Sequence, residues 1–93
     1  MKVENREFKE KQIGNRYINV FLQALKKSPT KGLNIGEMRE LSGTIDVLEA
    51  HRKDKTFELT KDQIKQILEK TREIQWVVYN KELIEMDDYL NSL

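Results

Sequence analysis

Leu33-Asn34-Ile35-Gly36-Glu37-Met38 and Leu59-Thr60-Lys61-Asp62-Gln63-Ile64 are two helix starts written out in full. In each, a capping residue (Asn34 or Thr60) is followed three positions on by Glu37 or Gln63. The cap's side chain accepts from a first-turn backbone N–H that has no partner inside the helix. The Glu or Gln reaches back to the cap's own N–H. Leu33 and Leu59, just outside, are spaced to clasp Met38 and Ile64 inside. Each cap is worth about 1 kcal/mol, so helices are expected to begin at Ile35 and Lys61.

Working forward, Met38, Leu41, Ile45 and Leu48 recur on one face and carry the first of these helices to about His51. Gly43 inside it costs about 1 kcal/mol relative to Ala; it reads as a close approach to another helix or a kink between Ser42 and Thr44. The helix from Lys61 runs to about Ile74, with Ile64, Ile67, Leu68, Thr71 and Ile74 inward. Between the two, Thr56-Phe57-Glu58-Leu59 alternates like a strand but has no obvious partner, so it reads as an extended lead-in. Gln75 to Tyr79 is a dense apolar connector. Asn80 then caps a last helix from Lys81 to about Asn91, with Tyr79 spaced to clasp Ile84 and with Leu83, Ile84, Met86, Leu90 and Leu93 to bury.

Working backward, a helix is expected from Asn15, as cap, to Lys27, where Lys26 and Lys27 suit the negative end of the helix dipole. Ser28-Pro29 stops it, because proline lacks the donor and pushes its predecessor out of the α region. Thr30-Lys31-Gly32 is a loop. Residues 1–12 offer only Val3 and Phe8 for burial and read as a flexible arm, or an edge that orders on a partner. The expected fold is therefore all-α: a small four-helix bundle-like domain over residues 13–93 behind a flexible arm over residues 1–12.

Ninety-three residues make one domain, large enough to bury roughly 60% of its unfolded surface without metal or disulfide. Hydrophobic residues are 38% and charged residues 35%, with a net charge of +1, so the chain is neither a polyelectrolyte nor a sequence whose mean charge demands nucleic acid. The absence of cysteine removes disulfides and thiol chemistry and fits a reducing compartment. The longest apolar stretch, Trp76-Val77-Val78-Tyr79, falls far short of a membrane span, and no apolar core follows Met1. A cytoplasmic protein without membrane contact is expected.

No catalytic residues, cofactor site or metal site emerge. One histidine and no cysteine cannot make a Cys/His zinc site within one chain. Glu85, Asp87 and Asp88 lack the alternating oxygen ligands and turn glycine of a calcium loop, and read as a solvated helix face. His51 falls at a helix C-terminus beside Arg52 and Lys53, where a structural role is expected. Gly14, Gly32, Gly36 and Gly43 are too scattered to cradle a phosphate.

Charge is uneven along the chain. Residues 1–32 hold eight Lys or Arg against three Glu, while residues 81–93 hold Lys81 against Glu82, Glu85, Asp87 and Asp88. Either the two ends attract one another, within or between copies, or the basic segment addresses a polyanion. Glu4, Glu7 and Glu10 interrupt the basic run and favour the first reading. The links of Ser28 to Leu33 and Arg52 to Leu59 are longer than the turn of a helix-turn-helix.

The first helix carries the one surface anomaly. Tyr17, Ile18, Val20, Phe21, Leu22, Ala24 and Leu25 cover an arc of roughly 200°, about twice the stripe an ordinary surface helix needs. Either the helix is central, or its flank of Tyr17, Val20 and Ala24 is a partner-binding surface, with a second copy the simplest partner.

From Leu33 onward the chain resembles small helical accessory and assembly proteins of tailed phages and prophages. The matching pieces are Gly36-Glu37-Met38-Arg39 opening a helix, Phe57-Glu58-Leu59 with Asp62 opening the next, and Trp76-Val77-Val78 before a closing acidic helix. The resemblance implies an accessory protein with no catalytic residues. The expected function is a non-catalytic protein–protein interaction module, acting in virion assembly or by occupying a host factor. The alternative is a DNA-binding transcriptional regulator that uses the basic N-terminal segment.

Overall fold

The computed structural model describes residues 1–9, 16–27, 32–76 and 79–93. It is mostly helical, with strand β1 (Lys2–Glu4), helices α1 (Tyr17–Lys26) and α2 (Ile35–Ala50), strand β2 (Thr56–Glu58), and helices α3 (Lys61–Glu73) and α4 (Lys81–Asn91). The expected caps at Asn15 and the stop at Ser28-Pro29 lie outside the described residues.

The three later helices start where local chemistry places them. Asn34 Oδ1 accepts from Glu37 N at 2.8 Å, although Glu37 answers the Asn34 side-chain amide rather than its backbone N–H. At α3 the box closes fully: Gln63 N donates to Thr60 Oγ1 at 3.1 Å and Thr60 N donates to Gln63 Oε1 at 2.9 Å. Asn80 Oδ1 caps α4 through Glu82 N at 2.7 Å.

The N-terminal segment corrects the expectation of a flexible arm and an all-α chain. β1 pairs antiparallel with β2 in the register Lys2↔Glu58, Val3↔Phe57, Glu4↔Thr56. The ladder extends at both ends, with Leu59 N donating to Met1 O at 2.9 Å and Asn5 N donating to Lys55 O at 2.8 Å. The partner missing from the reading of Thr56-Phe57-Glu58 is thus the start of the chain. Alternation in β1 turns Val3 inward, fully buried, between exposed Lys2 and Glu4. Glu7 then bridges Arg16, and Phe8 enters the core.

α1 lies at the centre, packed against α2 and α3, while α3 packs against α4. Phe21 on α1 meets Phe57 on β2 edge to face, with ring centroids 6.4 Å apart. α2 turns Leu41, Thr44 and Leu48 fully inward and leaves Ile45 partly buried. Thr44 Oγ1 donates to Gln66 Oε1 at 2.6 Å, so the hydroxyl in that interface is satisfied by α3. The clasps expected at two helix starts do not close: Met38 is half exposed beyond the end of the core stripe, and Tyr79 and Ile84 are both open to solvent. Leu59 and Ile64, by contrast, are both buried in the one core cluster.

Gly43 is not a close-approach point. A Cβ built there meets nothing within 4 Å, and the residue is exposed in an unbroken helix. Gly43→Ala is therefore expected to raise stability by about 0.5–1 kcal/mol, through helix propensity and a less flexible unfolded chain. Urea denaturation at matched slope measures it; a loss of stability would mean that α2 needs the glycine.

Candidate functional site

Tyr17, Val20 and Ala24, the flank expected to meet a partner, are 4%, 0% and 1% exposed within the isolated chain. The wide apolar arc belongs to a central helix that packs against both α2 and α3, with Phe8 of the N-terminal segment against Tyr17. Phe8 and Tyr89 both pack against Tyr17, with ring centroids 5.2 and 6.2 Å away. These three residues are core rather than docking surface.

Burial pushes the Tyr17 phenol above its ordinary pKa, with the Arg6 guanidinium pulling the other way. The folded chain therefore keeps that proton at pH values where the unfolded chain loses it, and stability falls as pH rises through about 10. Tyr17→Phe is expected to flatten this alkaline slope. Thermal melts of both proteins between neutral and strongly alkaline pH decide it; identical slopes would place the cause elsewhere.

Both arginines of the basic N-terminal segment pair within their own chain. Glu4 holds Arg6, whose guanidinium lies 4.3 Å over the Tyr89 ring of α4, and Glu7 holds Arg16 at 3.2 Å. Glu4 N donates to Tyr89 Oη at 2.9 Å, and Lys9 N donates to Glu82 Oε1 at 2.8 Å. The basic start and the acidic closing helix thus meet within one molecule.

Two of the other residues singled out by chemistry pair within the chain. His51 Nδ1 lies 2.6 Å from Asp54 Oδ2 in an exposed turn at the end of α2. Of the acidic residues on α4, Asp87 is taken by Arg72 of α3 in a two-point contact at 2.8 and 3.0 Å. Among the described residues no three His, Asp or Glu side chains converge on a common point. No described helix is long and apolar enough to cross a membrane.

The feature best suited to binding lies at the corner between α3 and α4. The side chains of Ile74, Trp76, Leu83, Ile84 and Met86 line a groove of about 270 Å³, closed along one edge by the Arg72–Asp87 pair. Met86 forms its buried floor, Trp76 and Leu83 are half-buried, and Ile84 is 47% exposed at the lip. Tyr79, in the lead-in to α4, is 83% exposed. The groove exists because α4 offers apolar residues on two adjoining faces: Met86 and Leu90 fill the core, leaving Leu83 and Ile84 at its margin. It falls just short of the range, about 300–1,000 Å³, typical of pockets that enclose small ligands.

Sequence reading assigned all five of these residues to burial or to a connector. The signal that could have separated them is surplus: Ile74, Trp76, Leu83 and Ile84 add more apolar surface than one flank of a short helix can hide.

No protein-family model matches the chain, and neither a curated protein nor a solved structure is detectably similar to it.

Proposed function

We propose that this chain is a small non-catalytic protein-interaction module, and that it receives apolar side chains of another protein in the groove between α3 and α4. The observation that carries this reading is the exposure of Ile84 at the lip of a groove floored by Met86 and walled by Trp76 and Leu83. A concave surface lined by apolar side chains is the kind of place where a partner's side chain can anchor. The phage-like look of residues 33–93 supplies the setting: assembly of a virion, or occupation of a host factor in the cytoplasm. The regulator reading is set aside because Arg6 and Arg16 already pair with Glu4 and Glu7. A true phosphate-binding arm would hold DNA with an affinity that collapses as salt rises.

Ile84→Glu is the variant that tests the groove. Because the side chain is half exposed, helicity should survive, with a stability change within about 0.5 kcal/mol. Binding to the partner should fall at least about tenfold, the scale of one well-placed anchor. Amide shifts of Trp76, Leu83 and Ile84 should move when the partner is added to wild-type protein. Unchanged affinity in the variant, with shifts confined to other elements, refutes the site.

A further inference from the structure

We infer that the free edge of β2 is an interaction surface for a second copy of this chain, the two β2 strands pairing antiparallel about a two-fold axis at Phe57 to make one four-stranded sheet.

The two edges of the β1–β2 sheet differ. Successive residues of an antiparallel strand turn their backbone groups alternately toward one neighbour and the other. Lys55 O accepts from Asn5 N and Leu59 N donates to Met1 O, so Lys55, Phe57 and Leu59 face β1. The N–H and C=O groups of Thr56 and Glu58 therefore point from the opposite edge, where they meet no partner among the described residues. Of the described elements only β1 lies alongside β2. Glu58 is exposed and Thr56 partly so, with exposed Lys55 and Thr60 on either side. On the outer edge of β1, by contrast, Glu4 N donates to Tyr89 Oη of α4, which stops that edge. An open edge is a template for pairing with another strand.

The free stretch is short, and that selects the occupant. Asp54 N and Thr60 N are already taken, by His51 O and Gln63 Oε1, so Thr56 and Glu58 alone offer groups to a neighbour. A loose peptide gains too few bonds there to offset the cost of ordering it, whereas β2 of a second molecule is already extended and held by its own domain. With Phe57 on the two-fold axis, Thr56 of each copy stands opposite Glu58 of the other and exchanges both backbone hydrogen bonds with it. Every open group of the edge is then satisfied at once, and the two Glu58 carboxylates are not set opposite one another. Across the pair the sheet runs β1–β2–β2–β1. Both of its outer edges carry the Tyr89 stop, so assembly closes at the dimer.

Sedimentation equilibrium and amide hydrogen exchange of the full chain test this together. A dimer should appear with a dissociation constant on the order of 0.1 mM, as suits so small a contact. As it forms, the Thr56 and Glu58 amides should slow severalfold with rising protein concentration. The Phe57 amide, paired with β1 in monomer and dimer alike, should not change. Thr56→Pro removes an outward donor without touching the ladder to β1, a position where an edge strand tolerates proline. It should weaken the dimer at least about tenfold and leave far-ultraviolet dichroism unchanged. A chain that stays monomeric well above that concentration overturns the inference. So does a dimer whose Thr56 and Glu58 amides exchange as fast as in the monomer, or one that a folded Thr56→Pro variant forms equally well. Should the proline variant fail to fold, amide exchange in the unaltered chain decides alone.

Discussion

Val20→Asp is expected to unfold the chain at neutral pH and 25 °C. Val20 is fully buried on α1, the helix that packs against both α2 and α3. The substitution removes the valine packing and asks a carboxylate to enter a site with no described cation to receive it. An isolated buried charge costs many kcal/mol, and even after protonation the polar group remains unsatisfied. Domains of this size are stable by about 5–15 kcal/mol, so the balance is lost. Gln23→Asp on the exposed side of the same helix is the control, and should leave dichroism and amide dispersion intact. A natively folded Val20→Asp protein would return that flank of α1 to the surface, where the width of its apolar arc first suggested it belonged.

Asn5→Ala is expected to cost about 2–4 kcal/mol, a large effect for one polar residue near the chain start. Asn5 is 6% exposed and joins three segments. Its Oδ1 accepts from Ile18 N at 3.1 Å, and its Nδ2 donates to Asp54 O at 2.9 Å and to Arg52 O at 3.4 Å. Residue 16, at the formal cap position of α1, provides no capping side chain, so Asn5 supplies the cap from thirteen residues away. Truncation strands a buried N–H and at least one carbonyl, and each orphaned group costs about 1–3 kcal/mol. Asn5→Asp keeps the acceptor for Ile18 but turns a donor into a carboxylate facing two carbonyls, so it should be little better. Urea titration of the three proteins settles the matter; a loss below 0.5 kcal/mol would mean that water replaces the side chain.

The difference between α1 and the other helices explains what could be read from the chain. α3 and α4 carry their starting instructions within three residues, as does α2, and their first residues fall where Asn34, Thr60 and Asn80 direct. α1 takes its cap from Asn5, and β2 takes its partner from Val3 and its neighbours. Neither link leaves a periodic trace, because both join segments far apart in sequence. The same separation hid the fate of Tyr17, Val20 and Ala24: Phe8 packs on Tyr17 and α1 is held between α2 and α3, contacts that local pattern could not foretell. The groove was obscured for the opposite reason. Trp76, Leu83 and Ile84 look like core residues one by one, and only the packing shows that Met86 and Leu90 already fill the space.

The pairing of β1 with β2 also sets an order in time. A domain generally folds as a unit, once the ribosome has delivered the segments that must pair. Here Val3 must wait for Phe57, and Asn5 for the carbonyls of Arg52 and Asp54. Until those residues emerge, the first segment has no ladder to join and α1 has no side-chain cap. Closing so long a loop is entropically costly before its contacts repay it. The α2 and α3 starts, which need only their own neighbours, are expected to form before the opening residues of the chain pair, an order that φ-values of about 0 at Val3 and higher at Leu41 would bear out.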